Sequence, residues 1–174
     1  CTACGAEDPS YAGTAVIEVG SLTAYPGDTI EIPVSLRNNP GISSFKLIVH
    51  YDDTLLSYQS LAFDETLTAI EGSKTLVNAE QRGQVTLTWV ATGSNYSGSG
   101  NVAVLTFKVN AAQENTNTQL SVTYDEDDVF NIDFVNQHFL AKAGSVQVNT
   151  VRPGDINGDG KVDAMDAMLL LHYV

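Results

Sequence analysis

Gly41-Ile-Ser-Ser-Phe-Lys-Leu-Ile-Val-His-Tyr-Asp52 decides the fold, because its apolar residues fall at every second position. Successive side chains of a strand point to opposite faces, so Phe45, Leu47, Val49 and Tyr51 are expected to face a core, with Ser44, Lys46, Ile48 and His50 outside. The same alternation recurs downstream. Val85, Leu87, Trp89 and Ala91 alternate with Gln84, Thr86, Thr88 and Val90, which turns the single tryptophan inward for packing rather than outward for binding. From residue 14 to about 150 no helical period is sustained for even ten residues. Strands are expected at 14–20, 29–37, 42–51, 55–61, 75–80, 84–91, 101–110, 119–125 and 141–149. Turn-forming runs such as Tyr25-Pro-Gly-Asp28, Asn38-Asn-Pro-Gly41 and the Gly/Ser-rich stretch 93–100 separate them. Nine short strands at this spacing predict an all-β, two-sheet sandwich.

The 174 residues are 43% hydrophobic and 17% charged, enough for one real core and a small appendage. The formal net charge is -13. Residues 1–150 hold 17 acidic against 6 basic side chains, so the acidity is general. Such a chain repels nucleic acid and anionic membrane surfaces and favours a basic protein patch or a divalent cation. No segment is long and apolar enough to span a membrane, the longest apolar run lying in 168–174. The two cysteines, Cys1 and Cys4, lack the second pair that a zinc site needs. Cys1 as first residue fits a mature bacterial lipoprotein, whose lipid is carried on that cysteine; an unstructured tail is the plainer reading.

Asp155-Ile-Asn-Gly-Asp-Gly-Lys-Val-Asp-Ala-Met-Asp166 is the most specific chemistry in the chain. Asp155, Asn157 and Asp159 stand at positions 1, 3 and 5 of a calcium loop and Gly160 at the sharp turn. Lys161 offers its carbonyl at position 7, Asp163 stands at 9 and Asp166 at 12. Calcium takes about 6 to 8 oxygen ligands, and alternate inward oxygens with a glycine reversal supply them within one short loop. Position 12 is aspartate, and Val151-Arg-Pro-Gly154 cannot begin a helix before the loop, so this is not a standard helix-loop-helix. A calcium site of this kind points to an extracellular address.

The run from Gly154 through this loop to Leu-Leu-Leu-His-Tyr-Val174 resembles the first duplicated segment of a dockerin, the calcium-folded plug of cellulosomal subunits. A dockerin carries two such segments, and residues 153–174 supply one. Upstream, Val16-Ile-Glu-Val-Gly20, Pro26-Gly-Asp-Thr-Ile-Glu-Ile-Pro-Val34, the 41–52 stretch and Val102-Ala-Val-Leu-Thr-Phe-Lys-Val109 resemble, in order and spacing, a cohesin, the receptor domain for dockerins. The resemblance implies a tail at 1–12, a nine-stranded jelly-roll sandwich at 13–150, and the calcium loop with one α-helix at 153–174. It implies a dockerin-binding face on the outward residues Ser44, Lys46, Ile48 and His50, then Val77 and Ala79, then Thr86, Thr88 and Val90. In the tail the recognition positions would be Ala164, Met165, Leu171 and His172, an apolar set that would meet a cohesin by shape and burial. The helix has almost no polar side, so a second segment, the sandwich or a neighbouring chain must cover it; in the last case a dimer forms through it.

No opposed carboxylate pair and no nucleophile with its base is legible, so no enzymatic activity is expected. Asp125-Glu-Asp-Asp128 reads as a solvated loop after a strand, and His50, His138 and His172 have no ligand spacing. The implied function is therefore non-catalytic assembly, with calcium as the cofactor and dockerin-bearing proteins as partners. A carbohydrate-binding module on the same sandwich is the alternative. It needs a coplanar strip of exposed aromatics, for which Tyr11, Tyr58 and Tyr96 are the candidates.

Overall fold

The computed structural model describes residues 13–172. Eleven strands form two sheets: β1 (Val16–Val19), β2 (Leu22–Ala24), β3 (Thr29–Arg37), β4 (Ser44–His50), β5 (Leu56–Phe63), β6 (Lys74–Asn78), β7 (Gln84–Val90), β8 (Gly100–Val109), β9 (Thr116–Thr123), β10 (Leu140–Lys142) and β11 (Gly144–Val148). One sheet has the order β10-β1-β3-β8-β5 and the other β2-β11-β9-β4-β7-β6. Two short helices, α1 (Glu65–Thr68) and α2 (Ala164–His172), complete the described chain.

The expected two-sheet sandwich is present, but the strand expected at 141–149 is broken where the chain changes sheets, and the strand expected at 14–20 is followed, after a second such change, by a short unexpected strand, β2. β1 lies in the five-stranded sheet and β2 in the six-stranded one, with Gly20 between them; β10 and β11 divide in the same way across Ala143. The crossings run side by side, since β1 pairs with β10 in parallel and β2 with β11 in parallel. Contact there is so close that a Cβ on Gly144 would lie 1.9 Å from the Gly20 carbonyl oxygen, and one on Gly20 would lie 2.6 Å from Cδ of Pro33. Pro33 is tolerated inside β3 for the same reason. Its carbonyl accepts from the Gly20 amide at 2.8 Å, and β1 leaves the sheet there, so no ladder partner requires the missing N–H.

The alternating residues meet between the sheets. Phe45, Leu47 and Val49 from β4, with Val85, Leu87 and Trp89 from β7, are buried against Ile32, Val34 and Leu36 of β3 and Leu105 and Phe107 of β8. Tyr51 is half-buried, with its ring 4.9 Å from that of Phe107. Trp89 is fully buried, and its indole N–H donates to Ser73 Oγ at 2.9 Å and to the Leu67 carbonyl at 3.3 Å. α1 presents that carbonyl. Asp64 caps the helix by accepting from the Thr66 amide at 2.9 Å, and Leu67 is buried with the core cluster. The Thr66 hydroxyl and amide hold the Asp64 carboxyl below the usual carboxylate range.

Candidate protein-binding face and calcium loop

Residues directly opposite one another in an antiparallel pair share a face of the sheet. Across β6, β7, β4 and β9 the register is therefore decisive. Val90 pairs with Ser44 and Lys74, Thr88 with Lys46 and Leu76, and Thr86 with Ile48 and Asn78. His50 stands opposite Gln84 and Ser121, and Ile48 opposite Thr123. The strands of this outer face turn Lys46 and Lys74 outward but no carboxylate, in a chain with 21 acidic residues.

Two expected members do not belong to it. Val77 stands opposite Leu87, a core residue, and thus shares the inward side; Ala79 has the same parity and lies beyond the end of β6. Leu76, 66% exposed, and Asn78 hold the outward positions instead. Adjacent apolar residues at 76 and 77 give no parity signal, so only the register assigns them. Ser44 is on the outward side but buried, since its backbone pairs with Phe130, whose carbonyl accepts from the Ser43 and Ser44 amides at 2.8 and 3.1 Å. Lys46, Ile48, His50, Thr86, Thr88 and Val90 remain at least partly accessible. Lys46 is joined to Asp128 at 3.0 Å, a bond that raises its pKa above the usual lysine value. His50 Nε2 lies 2.9 Å from the Thr123 hydroxyl.

The expected solvated loop after β9 is in fact built. Glu126–Asp128 form one 3-10 turn, Asp127 accepts from the Asn136 amide group at 2.7 Å, and Asn95 accepts from the Ile132 amide at 2.7 Å. Asn131 closes a tight reversal, its side-chain oxygen accepting from the Asp133 and Val135 amides at 3.0 Å each. Phe134 is held there at φ 59°, 80% exposed, with its ring stacked on Phe130 at 5.6 Å.

At the other end of the molecule the calcium-loop residues are gathered by the loop's own amides. Asp155 accepts from Gly158 at 2.7 Å, Asp159 at 3.2 Å and Gly160 at 2.8 Å. Asn157 accepts from the Asp159 amide at 2.9 Å, and Asp159 from Lys161 at 2.9 Å. Asp163 caps α2 by accepting from Met165 at 2.8 Å. Asp166, 3% exposed, reaches back from α2 to accept from Asp163 at 2.8 Å, Ile156 at 2.7 Å and Asn157 at 3.2 Å. These bonds, the Asp163 amide first, lower its pKa below the usual value. Gly158 and Gly160 take φ of 76° and 86°, which glycine adopts without strain.

Among the described residues no three His, Cys, Asp or Glu side chains converge closely enough to form a metal cage by themselves. The donor set nevertheless fits a hard cation, being all oxygen once Asn157 and the Lys161 carbonyl are included, and each carboxylate retains lone pairs beyond those its amides use. Ala164, Met165, Leu171 and His172 are exposed on α2. The tail is fastened to the sandwich through Arg152, whose guanidinium bonds the Asp28 carboxylate and lies 4.4 Å from the Tyr25 ring centre. Between them is a cleft of about 520 Å³ bounded by Tyr25, Pro26, Arg152 and the 155–160 loop.

Residues 15–139 match the cohesin domain family. The chain belongs to the cohesin family. Residues 132–174 match the dockerin type I domain; the part of that match through Val148 includes β10 and β11 of the cohesin sandwich, and the oxygen-rich loop lies entirely beyond it. A curated relative, cellulose-binding protein A of Clostridium cellulovorans, is 29% identical over 111 residues, which are 63% of this chain and 6% of that protein. A type I cohesin from a cohesin–dockerin complex of Clostridium thermocellum superposes with a TM-score of 0.68 at 21% identity, covering 78% of this chain and 99% of that one. A non-cellulosomal cohesin from Archaeoglobus fulgidus gives 0.68 at 19% identity, covering 83% and 96%. Tyr58 and Tyr96, the described candidates for a sugar-stacking strip, are half-buried against Phe107 and Trp89 at 6.1 and 6.4 Å; Tyr11 and Cys1 lie outside the described residues. No described helix is long and apolar enough to cross a membrane.

Proposed function

We propose that this cohesin receives dockerin-bearing proteins on the outer face of β9, β4, β7 and β6, and that residues 153–174 act as the calcium-binding part of a dockerin plug. Cohesins and dockerins are non-catalytic assembly domains, and their pairing here makes the chain an assembly module of the cellulosome type. The observation that carries the reading is a face whose strands turn no carboxylate outward, with Asp128 at its border paired to Lys46, partly apolar and wide enough for a helix, on a domain of the receptor family. Ile48, Leu76 and Val90 would supply apolar contact, and Thr86, Thr88 and His50 hydrogen bonds beside it. Such modules work outside the cell or at its surface, and a lipid on Cys1 would hold this one there.

In the tail, Asp155, Asn157, Asp159, Asp163, Asp166 and the Lys161 carbonyl would hold the ion. Calcium would supply the positive charge that lets these oxygens stay close. The chain's own part is to fix the loop to the helix. Asp166 ties α2 to residues 156 and 157 by backbone bonds, and Asp163 caps the helix, so closing the loop presents Ala164, Met165, Leu171 and His172 in one orientation.

The test is calorimetric titration of the full chain with a panel of purified type I dockerin proteins in calcium and in chelator, beside terbium luminescence of the wild type and Asp155→Ala. Calcium-dependent binding of at least one dockerin, and terbium emission lost in the variant, are expected. Absence of binding across the panel would sink the receptor reading; equal emission from both chains would sink the calcium site.

A further inference from the structure

The segment after β9 carries chemistry that the sheet face does not. Residues 125–137 hold five carboxylates, Asp125, Glu126, Asp127, Asp128 and Asp133, and no lysine or arginine. Within this acidic stretch three apolar side chains are turned to solvent: Ile132 is 36% exposed, Phe134 80% and Val135 55%. A phenylalanine held in a left-handed conformation, stacked on a second aromatic and exposed, is costly unless the surrounding chain fixes it; the side chains of Asn131 and Asn95 do so with three hydrogen bonds, accepted from the backbone amides of 132, 133 and 135. Between this reversal and the end of β7 lies an apolar cleft of about 310 Å³, walled by Ser43, Val90, Thr92, Phe130, Ile132 and Phe134. Val90 belongs to both surfaces, so the cleft continues the face at its Ser44 end.

We propose that residues 129–135 are a second docking element, which takes an apolar side chain of the bound protein against Phe130 and Phe134 while lysine or arginine beside that side chain meets the carboxylates of 125–133. This rests on the receptor reading above and adds the charge of the partner to it. An apolar residue bordered by acidic ones would place like charges together at this end, whereas a basic border finds opposite charge in a partly desolvated setting. The requirement discriminates against the chain's own tail. The four aspartates of residues 153–174 are the calcium ligands proposed above, and α2 has no lysine or arginine at all, so the helix offers no basic border to the carboxylates of 125–133. Copies of this chain are therefore kept from joining head to tail, although each holds both a receptor and part of a plug.

The experiment uses the full chain and the tightest-binding type I dockerin protein of the panel. Phe134→Ala should weaken binding by about tenfold to a hundredfold, the range of a central aromatic anchor. Its exposure means the thermal midpoint should stay at the wild-type value. Glu126→Gln with Asp133→Asn should weaken binding by about threefold to tenfold and flatten its salt dependence. Sedimentation of the wild type in calcium should show no association through the sheet face. Wild-type affinity in Phe134→Ala overturns the docking element while leaving the receptor role intact. Self-association that Thr88→Glu abolishes overturns the discrimination. Failure of every dockerin to bind the wild type removes the receptor reading and the docking element together.

Discussion

The two outer surfaces of the sandwich are built by the same alternation from the same acidic chain, and they differ in what they leave out. On the five-stranded sheet, Glu18 bridges Arg37 and Lys142, Glu31 stands opposite Thr106, and Lys108 opposite Thr29. That surface is an ordinary solvated one, with charges of both signs paired across strands, each pair contributing little. On the six-stranded sheet the strands β9, β4, β7 and β6 turn hydroxyls, amides, aliphatic groups and two lysines outward, with no carboxylate. Composition cannot explain this, because both sheets draw on one pool of 21 acidic residues. A face whose strands carry no strongly hydrated carboxylate, and whose bordering Asp128 is paired with Lys46, is less costly to dehydrate, which is what a protein partner requires.

The largest way to break the contrast is to remove what both surfaces stand on. Trp89→Ala should cost about 3–5 kcal/mol of folding stability, since it empties the fully buried indole site and leaves Ser73 and Leu67 without their donor. Denaturant unfolding would measure it, and a loss below about 1 kcal/mol would contradict the packing described.

A sharper comparison places the same charge on each sheet. Thr88→Glu, in the middle of the six-stranded face, should reduce dockerin binding by about a hundredfold or more, because its carboxylate must be dehydrated at the interface beside Lys46, which Asp128 already holds. Thr29→Glu, opposite Lys108 on the other sheet, should change it by less than about twofold. Similar losses from both, read by calorimetry, would place the partner elsewhere.

The smallest effect tests register alone. Leu76→Ser should weaken binding by about threefold to tenfold, the size expected for an apolar contact near the edge of an interface, whereas Val77→Ser should leave affinity unchanged and lower the unfolding midpoint instead. The reverse pattern would show β6 slipped by one residue.

That pair also marks where the sequence stops being readable. Single alternations such as Phe45, Leu47 and Val49 announce their buried face, and the spacing of Asp155, Asn157, Asp159 and Asp166 announces a hard-cation loop without any knowledge of the fold. Leu76 beside Val77 announces nothing, since either parity puts an apolar residue outside. The sheet crossings at Gly20 and Gly144 were hidden for another reason. Each glycine is required by contact with a residue distant in the chain, Pro33 for one and Gly20 for the other. Acidic residues 125–128 read as a loop because the side chains that organise the segment, Lys46, Asn95 and Asn136, are specified elsewhere. Tertiary partners rather than local propensity decide such places.

Arg152 has a mechanical consequence. Were the proposed plug held by one partner and the receptor face by another, the connection between them would come under tension. Pull on residues beyond 152 would first load the guanidinium clasp on Asp28 and Tyr25, and then β11. That strand lies between β2 and β9 rather than at a sheet edge, so drawing it out along its length must shear two ladders at once instead of unzipping one. The point at which the chain leaves the sandwich is thus held by two ladders rather than one.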